Sequence, residues 1–89
     1  MPKGYTPEVV ASITAFASED MSFHDAAIAY ERHLKNTLTL WSAASKAKGE
    51  HTIKEAEETA SYSSNVGDVL KSIMLLRWPV AAAEWIKGL

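Results

Sequence analysis

Val9, Val10, Ile13, Phe16 and Ala17 recur at helical spacing, which predicts a first helix over about residues 7–18. Thr6, Pro7 and Glu8 open it well: a hydroxyl to cap, a proline in the first turn and an acid near the positive end of the dipole. Ser22 and Asp25 have the spacing of a capping box and predict a second helix over about residues 23–30. Leu34, Leu38, Trp41 and Ser45 then fall at i, i+4, i+7 and i+11, so a third helix over about residues 33–47 is expected to bury that stripe and end near Gly49. Its opposite face carries Lys35, Asn36, Thr39, Ser42, Ala43 and Lys46.

Thr52 and Glu55 repeat the capping-box spacing and open a polar segment whose inward side is only Ile53, Ala56 and Ala60. So thin a face packs closely or barely packs. Asn65 and Asp68 can cap a further helix carrying Val66, Val69, Leu70, Ile73, Met74 and Leu76; alternatively residues 52–77 form one long helix with Gly67 as its weak point. Periodicity alone leaves both open. Pro79 disfavours a helical Trp78 and starts a short last helix that closes at Gly88. No run alternates with the period of a strand, and no Asn-Gly or Asp-Gly hairpin turn occurs. The expected fold is all-α: one domain over residues 1–89, a small bundle of four to five short helices.

Composition narrows the function classes. With 47% hydrophobic and 22% charged residues in 89, the chain is ordinary for a globular protein, but at this length folding buries only roughly 60–65% of the surface and the core is modest. A partner could therefore share in its stability. There is no cysteine, which removes disulfides, thiolate nucleophiles and cysteine-based zinc sites, and a cytoplasmic location is expected. The N-terminus has no apolar h-region, and the most apolar stretch is interrupted by Lys71, Arg77, Pro79 and Glu84, so neither export nor membrane spanning is predicted. Catalysis finds no support: His24, His33 and His51 lack metal-ligand spacing, and no nucleophile elbow, phosphate loop or dinucleotide fingerprint occurs. Glu55, Glu57 and Glu58 read as a solvated helix face. No metal, cofactor or small-molecule substrate is expected.

The net charge of −2 speaks against an indiscriminate polyanion binder, yet the charge is segregated. Residues 22–48 carry +2 and residues 49–70 carry −4. A helix-turn-helix needs small residues where its helices cross and a second helix with one packed and one polar face. Ala26 and Ala27 supply the crossing residues, Leu38 and Trp41 the inward face, and Arg32, Lys35, Asn36, Thr39, Ser42 and Lys46 groups for phosphates and base edges of double-stranded DNA. Over residues 6–48 this arrangement resembles the homeodomain-like helix-turn-helix domains of bacterial and phage regulators, transposases and small terminase subunits. The resemblance implies a small DNA-binding regulatory protein with residues 33–47 in the major groove. Where that family has hydrophobic, glycine and hydrophobic residues leading into the turn, this chain has Tyr30, Glu31 and Arg32, and Leu38 and Trp41 fall one residue late, so the turn needs an insertion. If Glu31 to His33 form a tight turn, the stretch can read DNA; if they continue the helix, residues 23–46 become one rod and that reading fails.

The second half suggests a different class of function. Two tryptophans seven apart are many for so small a core, and tryptophan is enriched in interface hot spots. Met74, Arg77, Trp78 and Trp85 are the expected association surface, for a homodimer or for another protein. In the dimer the basic helices would face neighbouring half-sites; with another protein the chain would be a small helical inhibitor or adaptor that binds no DNA.

Overall fold

The computed structural model describes residues 6–18 and 20–89, without the side chain of Glu8, so the acid expected there lies outside the described residues. It shows four helices among them and no strand: α1 (Pro7–Phe16), α2 (Phe23–Lys46), α3 (Glu50–Arg77) and α4 (Pro79–Lys87). An all-α bundle is what the pattern predicts, but two long helices replace several short ones. The caps at the first two starts form as their sequences suggest: the Val9 amide donates to Thr6 Oγ1 at 3.3 Å, and the Asp25 amide to Ser22 Oγ at 3.1 Å.

The first correction is at Glu31, Arg32 and His33, which continue the helix. The two helices expected at 23–30 and 33–47 are the single helix α2, and the N-terminal half is not a helix-turn-helix. The cause is local as well as tertiary. No glycine or proline lies between Phe23 and Lys46, and Glu and Arg are good helix formers. The second correction settles the alternatives for residues 52–77. They belong to one helix that begins two residues earlier, at Glu50, so Thr52, Asn65 and Asp68 lie within it and cap nothing. Gly49 precedes it with φ 91°, a backbone conformation that favours glycine, and Ala47 to Gly49 make the tight reversal between α2 and α3.

These two helices form an antiparallel hairpin whose contact seam alternates steps of three and four residues. On α2 it runs through Ala26, Tyr30, His33, Thr37, Leu40 and Ala44; on α3, through Ala56, Ala60, Ser63, Gly67, Leu70 and Met74. Every one of them is buried or half-buried. This 3.5-residue repeat keeps one face of each helix turned to the other along the whole hairpin. The expected stripe is offset from it by one residue: Leu34 is half-buried, Ser45 is exposed, and Leu38 and Trp41 keep 60% and 40% of their surface in solvent.

The main core sits at the open end of the hairpin, away from the Gly49 reversal. Phe16 from α1 and Ala82 from α4 join Ala26, Tyr30, Val66, Leu70 and Met74 there, with Val9 and Ile13 packed alongside. Trp78, with φ −132° and ψ 67°, breaks the chain out of α3 because the following proline disfavours a helical residue before it. Pro79 then starts α4 at a position where a missing N–H costs nothing. No helix among the described residues is long and apolar enough to cross a membrane.

Candidate functional site

The residues expected to contact DNA are all exposed, but they do not form a reading head. Arg32, Lys35, Thr39, Ser42 and Lys46 follow one another at steps of three and four along the outer face of α2. Asn36 leaves that row and lines a groove of about 320 Å³ between α1 and the hairpin, with Val9, Ser12, Leu40, Thr59 and Val66. Without a turn at Glu31 to His33, no supporting helix is joined to this face in the way the motif requires.

The expected association surface is partly taken up within the chain, with Arg77, Trp78 and Trp85 half-buried. Met74 is fully buried. Trp85 meets Tyr30 and Phe23 edge-to-face, with ring centroids 5.1 and 6.2 Å apart, and Trp78 meets Phe23 at 5.8 Å. Such pairs bind α4 to α2 with more than the area they bury. The Arg77 guanidinium donates at 3.0 Å to the carbonyl of Phe16, the last residue of α1, where a cation satisfies an orphan acceptor and meets the negative end of the helix dipole. The same group lies 4.4 Å from the centre of the Trp78 ring. These four residues close the fold; Met74 is inaccessible to any partner of the folded chain.

What the hydrophobic pattern missed lies midway along the hairpin. His33 Nε2–H donates to the Ser63 carbonyl at 2.8 Å, which fixes the ring tautomer. Thr37 Oγ1 donates to the His33 carbonyl at 3.0 Å, so the 2.6 Å contact between the Thr37 and Ser63 hydroxyls has Ser63 as its donor. These three bonds close a polar link between α2 and α3 in which both buried hydroxyls are satisfied. We expect Thr37→Val and Ser63→Ala each to cost about 1–2 kcal/mol, and the double variant clearly less than the sum, because either change alone already breaks the Thr37–Ser63 bond and Thr37→Val alone leaves the Ser63 hydroxyl without its acceptor. Urea unfolding of the four proteins measures this coupling; strict additivity would show that the link is not cooperative.

Beside that link the surface changes character. The Trp41 indole N–H donates to Ser64 Oγ at 3.1 Å, which lays the ring across the hairpin with Leu38 next to it. Both are substantially solvent-exposed, so no third helix among the described residues encloses them. The signal for this was present in the sequence, since the alternation of small and polar residues along 26, 30, 33, 37, 40 and 44 places Leu38 and Trp41 one step outside the seam. Among the described residues no three of His, Asp, Glu or Cys gather as a metal site.

Comparison with protein-family models, curated proteins and solved structures finds no match to the chain.

Proposed function

We propose that this chain is a small helical protein–protein interaction module that acts through the outer side of its α2–α3 hairpin. The observation that carries the reading is the pair Leu38 and Trp41, exposed side by side on the hairpin and enclosed by no other helix among the described residues. An apolar side chain and a tryptophan, surrounded by polar residues, have the make-up of an interface core with its rim. The surface expected from sequence, around Trp78 and Trp85, supports the function differently, by holding α4 and the open end of the hairpin rigid.

The competing reading, contact with duplex DNA, draws on the row Arg32, Lys35 and Lys46, which has no acidic member. One experiment separates the two. A photo-crosslinking amino acid at position 38 of the full chain, irradiated in cells, is expected to give protein adducts, with the same probe at exposed Glu58 giving none. Adducts to nucleic acid, or no adduct at position 38, would overturn the interaction module.

A further inference from the structure

We infer that the partner of the Leu38–Trp41 face is a second copy of this chain, laid antiparallel on the first so that two hairpins form a four-helix layer. This rests on the reading of that face as a protein interface. The row just outside the seam holds Glu31, Leu34, Leu38, Trp41 and Ser45 on α2, with Lys48 just past the helix end in the reversal. On α3 the neighbouring row holds Lys54, Glu57, Ser61, Ser64 and Asp68. The Trp41–Ser64 hydrogen bond shows that the two rows adjoin on one side of the hairpin.

The arrangement of charge along these rows selects the occupant and its direction. Place a two-fold axis level with the space between Thr39 and Leu40, which the Thr37–Ser63 contact sets close to Ser61 on α3. Leu38 then faces the partner's Trp41, and Leu34 the partner's Ser45. Glu31 faces the partner's Lys48, Lys54 faces the partner's Asp68, and Ser61 meets the partner's Ser61 on the axis. Both charged pairs join opposite signs, and Glu57, the remaining charged residue of the two rows, comes level with the partner's Asn65. A parallel mate sets Lys48 against the partner's Lys54, and like charges at an interface exclude such a register. The small hydroxyls of Ser45, Ser61 and Ser64 give the Trp41 ring a shallow furrow to enter. Sixteen residues of α2 from Glu31 to Lys46 span about 24 Å, and two helices are about 20 Å across, so the footprint lies at the low end for a specific interface. The dimer is accordingly a weak one, forming in the micromolar range and above.

Sedimentation equilibrium of the full chain from about 10 to 300 µM tests this. Self-association is expected, weakened at least tenfold by Leu38→Glu and unchanged by Leu76→Glu, a substitution at a side chain that is 83% exposed elsewhere. Glu31→Lys and Lys48→Glu should each weaken it, and the double variant should restore it, because each swapped residue meets the other across the axis. Since the chain has no cysteine, Ser61→Cys should oxidise rapidly to a disulfide-linked dimer, while Leu76→Cys should not. A monomer over the whole range, or a charge swap without rescue, would overturn the homodimer. The crosslink at position 38 keeps the two proposals apart: adducts at twice the chain mass support the second copy, and adducts of other masses only would refute it while leaving the interaction module standing.

Discussion

Met74→Ala is expected to lower the unfolding free energy by about 2–4 kcal/mol, the largest loss we predict for truncating a single side chain. Met74 has no solvent-exposed surface, and it is the one large side chain of the described residues that is completely enclosed. Around it lie Tyr30, Leu70 and Ala82 in the same cluster, contributed by α2, α3 and α4. Truncation removes both the burial of the thioether arm and the contacts its neighbours made with it. The backbone of two long paired helices collapses into the void only in part. A domain of this length holds on the order of 5–10 kcal/mol in total, so the change consumes a large share. The transition midpoint should fall by at least about 8 °C, given roughly 4–8 °C per kcal/mol in domains of this size. Leu76→Ala, two residues away but exposed, should stay within about 0.5 kcal/mol of the parent. Thermal and urea unfolding read both. A stable Met74→Ala protein with altered association would return Met74 to the role of an interface residue that its sequence suggested.

The contrast between Met74 and Leu38 shows where the sequence could be read and where it could not. Chain-local chemistry was legible: Thr6 and Ser22 accept from the amides three residues on, and Pro79 ends one helix and starts the next. These signals depend on neighbours within one turn. Burial depends on which of two adjacent helical faces finds a partner, and hydrophobicity pointed to the wrong one. Leu38 and Trp41 outweigh Thr37 and Ala44 on any apolar scale, yet the second pair is the buried one. Small residues let the helices approach, the two hydroxyls bond each other and the imidazole donates to the Ser63 carbonyl across the seam, so a polar stripe became an interior one. The same bias made Trp78 and Trp85 look like surplus surface when they pack on Phe23 and Tyr30, residues some fifty positions earlier. The helix-turn-helix reading took Leu38 and Trp41 as the inward face and needed an interruption at Glu31 to His33. A seam running unbroken through His33 provides the tertiary reason for continuity there.

Gly67 gives the sharpest test of that seam. A glycine inside a helix costs about 1 kcal/mol relative to alanine, so its presence in the middle of α3 calls for a compensating close approach. A Cβ built on Gly67 would stand 3.4 Å from His33 Cδ2, 3.6 Å from His33 Nε2 and 3.9 Å from Tyr30 Cε2. One carbon therefore just fits. Gly67→Ala should change stability by no more than about 1 kcal/mol, toward the stable side, as the gain in helix propensity is set against a contact at the edge of tolerance. Gly67→Leu places three further carbons where the imidazole and the Tyr30 ring already are. Either His33 leaves the Ser63 carbonyl or the two helices part, and both options break the polar link that holds the middle of the hairpin. Overpacking of this kind costs about 1–3 kcal/mol, and the orphaned carbonyl and hydroxyls add to it, for an expected loss of about 3 kcal/mol or more. Urea midpoints should thus order the proteins as Ala at or above Gly, and Leu far below. Amide exchange in Gly67→Leu should accelerate first around Thr37 and Ser63 and last around Met74, because the open-end core does not depend on the link. If Leu and Ala proved equally stable, α2 and α3 would not approach each other at Gly67, and the seam that sets Leu38 and Trp41 on the outside would have to be redrawn.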